Sequence, residues 1–332
     1  MAFNRAVLGW AVGTGLVAAA SATVVSARPE GTATRSLLAS GLEGAAGSAI
    51  GPGGALYVTE GAVGKLSRVD LETGAITTVA EGLPPSLIGL GGAIDVAFIG
   101  STAYVLVTLV GPDLGGSDVV GIYRVDGPHI FTVIADIGQF ALDNPPSTAF
   151  DVPTGLQYSL EPYQGGFLVA DGHHNRVLRV TLDGRVSEML QFGNIVPTGL
   201  ATAGQLVYLA LAGPVPHLPS EGRIVAFGAR SATATDVAAG APLLVDVEFG
   251  RGRRLYALSQ GVFQDGPPGA PASPDTGALV EVNDDGTMTV VAGELDRPTS
   301  VEFIGDTAYV VTLTGEIWKI EDVSAPPFGR RP

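Results

Sequence analysis

Two aspartates and three histidines are the residues of this chain whose type and placement invite chemistry. Asp95, in Ala93-Ile94-Asp95-Val96-Ala97-Phe98, and Asp246, in Val245-Asp246-Val247-Glu248-Phe249, fall at matching positions of two similar apolar segments. Carboxylates brought face to face would hold a divalent cation such as calcium, because hard cations take carboxylate and carbonyl oxygens. Set in strands, the same aspartates would serve as acceptors for backbone N–H groups of a neighbouring strand, donors that burial would otherwise orphan. His173 and His174 stand in Asp171-Gly172-His173-His174-Asn175, and His217 in a longer Pro-rich stretch. Gathered by the fold, they would bind a metal or move protons; in glycine-rich turns they read first as solvated surface. The sequence contains no Gly-x-Ser-x-Gly elbow, phosphate loop, His-Glu-x-x-His or Cys-x-x-Cys, so nucleophilic and zinc-protease chemistry lack their parts.

These residues must be positioned by repeats. Ala55-Leu56-Tyr57-Val58, Ala103-Tyr104-Val105, Gly166-Phe167-Leu168-Val169, Leu206-Val207-Tyr208-Leu209, Arg254-Leu255-Tyr256-Ala257 and Ala308-Tyr309-Val310 recur about every 40 to 60 residues, a period typical of propeller blades. Each is followed by an alternating strand such as Lys65-Leu66-Ser67-Arg68-Val69 or Arg176-Val177-Leu178-Arg179-Val180. Turns of the Asp-Gly type, at Asp126-Gly127, Asp183-Gly184 and Asp285-Gly286, then lead to fourth strands such as Thr77 to Leu83, Ile130 to Ile137 and Met288 to Leu295. The last repeat lacks a fourth strand, and Leu37 to Leu42 resembles one with no repeat of its own. The fold expected is an all-β, six-bladed β-propeller closed by the N-terminal strand pairing with the last blade, which leaves no edge between first and last repeats. A two-sheet sandwich would not produce six matching units.

Closure fixes which loops share a face. With strands numbered from the centre outward, second-to-third loops and fourth-to-next-blade loops open on one side. The long insertions, Gly111 to Val119, Gly138 to Asp151, Gly213 to Glu221 and Gln260 to Thr276, all belong to it, and long irregular segments in compact domains are usually functional or disordered. Asp95 and Asp246 enter from that face in the second and fifth blades, hence opposite each other across the channel. Their counterparts are read as Ser48, Gly155, Gly199 and Ser300.

Composition narrows the partners. A net charge of −15, with Lys65 and Lys319 as the only lysines, argues against nucleic acid and anionic lipid, whose binding rests on clustered cations. Arg5, the apolar stretch Ala6 to Val25 and the small-residue site Val25-Ser26-Ala27 read as a cleaved secretory signal over residues 1–27. The expected organisation is therefore that leader, one propeller over 28–323 and a tail over 324–332. The expected location is outside the cytoplasm, extracellular or in the cell envelope, with no stable membrane insertion after cleavage. The chain has no cysteine, so its stability must come from packing.

Gly51-Pro52-Gly53-Gly54-Ala55-Leu56-Tyr57-Val58-Thr59-Glu60, Val152-Pro153-Thr154-Gly155-Leu156, Val245-Asp246-Val247-Glu248-Phe249 and Arg297-Pro298-Thr299-Ser300-Val301 resemble the ScyD/ScyE family of exported propellers, related in style to NHL-repeat and gluconolactonase-like propellers. Leu168-Val169-Ala170-Asp171 through Asn175-Arg176-Val177 resembles an NHL unit. The ScyD/ScyE resemblance implies the fold and export but no catalytic residue. Likeness to gluconolactonase propellers would imply a channel metal on a Glu, an Asn and an Asp. Here Asp246 is the match, whereas Thr154 and Thr198 stand where an Asn is expected and Ser48 where a Glu is. The leading expectation is a non-enzymatic scaffold that binds a small molecule, glycan or protein on the loop-rich face, through Asp95, Asp246, His173, His174 and His217. The alternative is a metal-dependent hydrolase or lyase at the channel mouth, with Asp95 and Asp246 as weak metal ligands.

Overall fold

The computed structural model describes residues 26–27, 33–231, 233–264, 266 and 269–324. Six four-stranded antiparallel sheets are arranged as blades, each running from an inner strand to an outer one. Blade one comprises Ala45–Ile50, Leu56–Glu60, Lys65–Val69 and Ile76–Glu81; blade two Gly92–Ile99, Thr102–Thr108, Gly121–Gly127 and Ile130–Asp136. Blade three comprises Gln157–Tyr163, Gly166–Asp171, Arg176–Thr181 and Val186–Gln191; blade four Pro197–Ala203, Leu206–Leu211, Arg223–Gly228 and Thr235–Ala239. Blade five comprises Leu244–Phe249, Leu255–Ser259, Gly277–Val282 and Met288–Leu295.

Blade six takes Pro298–Ile304, Thr307–Thr312 and Ile317–Glu321 from the C-terminal end and its outer strand, Thr34–Ala39, from the N-terminal end. The closing strand pairs antiparallel, Arg35 opposite Ile320 and Leu37 opposite Trp318, and begins earlier than the Leu37 to Leu42 expected. Each inner strand packs against the inner strands of both neighbouring blades, in sequence order, so the ring is closed. The two residues Ser26–Ala27 add in parallel to the blade-five edge at Thr289 and Val290. The rest of the expected leader, and the tail from residue 325, lie outside the described residues. Among the described residues, no helix is long and apolar enough to cross a membrane.

The hydrophobic core is divided among the six seams between blades. Tyr57 meets Phe98 between blades one and two, Tyr104 meets Phe167 between two and three, and Tyr256 meets Phe303 between five and six, with ring centroids 4.8–4.9 Å apart. Phe167, Leu168, Leu178 and Tyr256 are fully buried. Each such side chain contributes about 1.5–3 kcal/mol by leaving water, so a chain without disulfides has enough cohesion from its seams.

Two features of this scaffold position the channel. Every inner strand carries a register shift near its entry end, at Ala45/Ser48, Ala93/Asp95, Gln157/Ser159, Pro197/Leu200, Leu244/Asp246 and Pro298/Ser300. A bulge of this kind inserts an unpaired residue and re-aims its neighbours. The connection from blade two to blade three, expected to be irregular, contains a helix, Ile137–Asp143, capped by Asp136, whose side chain accepts from the Gln139 backbone N–H.

Candidate functional site

The observed pairing aligns the inner strands residue by residue. Opposite the second strands stand Ala49, Ala97, Glu161, Ala201, Glu248 and Glu302, facing Tyr57, Tyr104, Leu168, Tyr208, Tyr256 and Tyr309 respectively. Two residues earlier come Gly47, Asp95, Ser159, Gly199, Asp246 and Ser300. This corrects two expected counterparts of the aspartates: Gly47 replaces Ser48 and Ser159 replaces Gly155, because the bulges shift the alignment. Read around the ring, the entry tier is Gly-Asp-Ser followed by Gly-Asp-Ser, so blades one to three repeat as blades four to six.

Each entry-tier aspartate clips two blades together. Asp95 Oδ2 accepts from the Leu160 backbone N–H of blade three at 2.7 Å, and Asp246 Oδ2 accepts from Val301 of blade six at 2.8 Å. Their other oxygens accept from Val96 and Val247, the residues that follow each of them. Ser300 continues the pattern, its Oγ accepting from the Ser48 N–H at 3.2 Å and meeting Ser48 Oγ at 2.8 Å. The preceding blade must leave room. A Cβ on Gly47 would lie 2.1 Å from Asp95 Oδ1, and one on Gly199 would lie 2.5 Å from the Asp246 Cα.

The sequence reading missed the second tier. Glu161, Glu248 and Glu302 line the same channel nearer the opposite face, half-buried like the aspartates. Glu161 accepts from Thr202 Oγ1 at 2.8 Å and Glu248 from its neighbour Phe249 N–H at 2.7 Å, while no hydrogen bond to the Glu302 carboxyl is seen among the described residues. Burial pushes all five carboxyls up, opposed by their hydrogen bonds where they have them. Asp246 and Glu161 rise to about 7, and Glu248 to about 8 with repulsion from Glu161 added. Burial holds Asp95 well above the carboxylate range; Glu302 is likewise raised by burial and by repulsion from Glu248, Asp246, Glu161 and Asp95. The signal that would have found this tier was present: in Asp246-Val247-Glu248 the two acids are two residues apart and therefore share a strand face.

The histidines are not gathered, and two of them are not the solvated turn residues expected. His174 is fully buried, its Nε2 3.0 Å from the Val152 carbonyl and its Nδ1 3.1 Å from Arg176 and 3.2 Å from Asp171. Arg176, also buried, donates from Nε to Asp171 Oδ2 at 3.0 Å and from NH1 to the Asn144 carbonyl at 2.8 Å. Asp171 Oδ1 accepts from Gln157, which accepts in turn from Thr108 of blade two. His173 Nε2 accepts from the Asp151 and Val152 backbone N–H groups at 2.8 and 3.0 Å. The pair thus straps the blade-two insertion to blade three. His217 is buried in its own insertion, where Nδ1 lies 2.7 Å from the Gly213 carbonyl and the ring meets Phe263 edge-on.

Among the described residues, no three of the His, Asp and Glu side chains lie close enough together to hold a metal ion. Of the two threonines that stand where an Asn ligand is expected, Thr154 donates to Asp113, and Thr198 donates to the Ala210 and Leu244 carbonyls. These contacts tie loops and blades together.

A closed ring of six such blades defines the protein as a six-bladed β-propeller. Its architecture is similar to that of the Xanthomonas campestris gluconolactonase XC5397, with TM-score 0.61 and 13% identity over 87% of this chain and 89% of that one. A glucose dehydrogenase matches with TM-score 0.59 and 17% identity over 88% of this chain and 100% of that one. Virginiamycin B lyase from Staphylococcus aureus matches with TM-score 0.53 and 14% identity over 87% and 98%. At these identities the likeness shows the fold alone. No protein-family pattern and no curated protein matches the chain.

Proposed function

We propose that this chain is an exported propeller of the ScyD/ScyE type that binds a small molecule, glycan or protein on its loop-rich face without transforming it. One observation carries the reading. Leu87, Ile88, Leu142, Phe150, Val215, Leu218 and Val262 are exposed on connections of that face, Ile88 to 57% and Val262 to 50%. They are seven of the fourteen large apolar side chains exposed among the described residues; gathered on four connections they fit a surface that a partner covers, whereas the others stand singly on strands and, at Leu182, in a turn. Meanwhile Asp95, Asp246, His173, His174 and His217 all make contacts that hold the fold, which supports a scaffold. The net charge of −15 disfavours nucleic acid and anionic lipid, and in the exposed run Arg251, Arg253 and Arg254 two of the three arginines are paired, with Asp306 and Glu281. Export rests on the leader pattern of residues 1–27, and mass spectrometry of secreted protein beginning at Arg28 would establish it.

The test is an array of glycans and peptides probed with the wild type and with an Ile88→Glu/Phe150→Glu double variant. Wild-type signals lost in the variant support the reading; signals that persist unchanged, or no wild-type signal at all, sink it.

The second reading, a metal-dependent hydrolase or lyase, is favoured by five carboxyls around one channel. As arranged, they do not fit a metal, since the aspartate oxygens serve backbone N–H groups. Metal analysis separates the readings. Stoichiometric calcium or zinc, lost on Asp246→Ala, supports the enzyme; protein that keeps its melting temperature in chelator supports the scaffold.

A further inference from the structure

The connection 260–276 joins the second and third strands of blade five on the loop-rich face. Its foot is pinned to its own side of the ring. The Val262 N–H donates to Thr276 Oγ1 at 2.9 Å, the Ser273 N–H to the Val262 carbonyl at 3.0 Å and the Ala272 N–H to Gln260 Oε1 at 3.0 Å. Ala272 is buried with Ala212 and Leu243, and Phe263 meets His217 of the blade-four insertion edge-on.

The tip reaches another side. A Cβ built on Gly269 would lie 3.6 Å from Leu90 Cδ2, its one neighbour within 4 Å among the described residues. Leu90 stands two residues before the inner strand of blade two, half-buried on the cluster that contains Ile94 and Ile137. In a closed ring of six, blades two and five are opposite each other. A segment rooted on blade five that touches the entry of blade two has therefore crossed the channel mouth. Hydrogen bonds hold the foot and an apolar contact holds the tip, so the tip is the end that releases first.

We propose that this connection is a lid on the central channel. With Gly269 seated on Leu90 it shuts the mouth at the loop-rich face, and the tip must lift before a molecule on that side reaches Asp95, Asp246 or the glutamates beneath. Leu87 and Ile88, exposed beside the landing, and Val262, exposed at the foot, set the lid within the surface proposed above for a partner. The lid stands whether or not a partner binds there, and its test uses none.

The chain has no cysteine, so a single introduced thiol reports alone. Ser159 belongs to the entry tier and is half-buried, and its hydroxyl makes no hydrogen bond among the described residues, so Ser159→Cys leaves both aspartate clips in place. The folded full chain is treated with fluorescein-5-maleimide, a rigid and bulky thiol reagent, first with the lid intact and then with residues 264–270 replaced by Gly-Gly, a shortening that the paired foot tolerates. The shortened lid is expected to raise the labelling rate at least about tenfold, since a thiol reacts only where the reagent can reach it. Equal rates would overturn the lid. A second measurement decides if circular dichroism shows the shortened chain misfolded. Leu90→Cys/Gly269→Cys, made without the Ser159 change, is expected to close to an intramolecular disulfide under mild oxidation, and failure to close would overturn the landing on which the lid depends.

Discussion

The two tiers of acids in the central channel are built from the same strands yet do different things. In the entry tier, Asp95 and Asp246 spend both oxygens on backbone N–H groups, one in their own blade and one in the next. In the second tier, among the described residues, Glu161 reaches across a seam to Thr202 of blade four, Glu248 is held by its own neighbour, and the Glu302 carboxyl by no hydrogen bond. Burial raises every carboxyl in the channel; the aspartates and Glu161 return stability for it through inter-blade hydrogen bonds, whereas Glu248 and Glu302 do not. Glu248 and Glu302 are a cost carried by the fold. Acids that cost stability without holding the structure fit a role at the channel rather than in the ring.

The largest expected effect follows from Glu302. A carboxyl whose folded pKa lies above its unfolded value binds its proton more tightly in the folded chain, so its contribution to stability is fully present below the unfolded pKa and is lost as pH rises through the folded one. For the channel, that window runs from the ordinary carboxylate range, roughly 4, up through the values of about 7 for Asp246 and Glu161 and about 8 for Glu248. The melting temperature should therefore fall as pH rises from 5 to about 8.5. Glu302→Gln should raise stability at pH 8 by about 1–2 kcal/mol and flatten that slope. A variant that melts lower than the wild type at pH 8 would break the distinction between tiers.

The entry tier should respond in the opposite sense to truncation. Asp246→Ala leaves the Val301 N–H without an acceptor, a loss of about 1–3 kcal/mol, partly offset by removing a buried charge. Asp246→Asn discards the charge but keeps only one of the two acceptors and sets its amide N–H against the other backbone donor, so chemical denaturation at pH 8 should rank Asn below the wild type and above Ala. Equal destabilisation by Asn and Ala would mean that the charge, and not the hydrogen bond, is what blade six needs.

The architecture was legible because each blade repeats its own strand pattern and turn chemistry, and the N-terminal strand announced itself by resembling Thr78 to Leu83 without a following repeat. The channel was only half legible. Bulges are invisible to alternation, and one extra residue per inner strand moved the counterparts of Asp95 to Gly47 and Ser159. His174 was misread for a different reason: its turn is short and glycine-flanked, as a solvated turn would be, but the blade-two insertion folds over it, and a long-range cover of this kind leaves no mark in the local sequence. His217 is buried by its own insertion and by Phe263, again a contact between distant segments.

The strap at blade three gives the smallest effect and the sharpest contrast in sign. His173 Nε2 accepts two backbone N–H groups, which only an unprotonated nitrogen can do. Burial, followed by the neighbouring His174, lowers its pKa, against the pull of Asp151 and Asp171. With the folded value depressed, the strap's stability is present above the ordinary histidine range and is lost as pH falls through the folded pKa, opposite to the channel. Arg176 and His174 hold the same segment at Asn144 and Val152, so protonation of His173 alone should loosen residues 144–152 without unfolding the ring. Amide exchange at Asp151 and Val152, corrected for its intrinsic pH dependence, should accelerate severalfold between pH 7 and pH 5. In His173→Gln, whose side-chain carbonyl accepts at either pH, the acceleration should vanish. Equal acceleration in both proteins would assign the opening to the Asp171–His174–Arg176 network beneath and relieve His173 of the role.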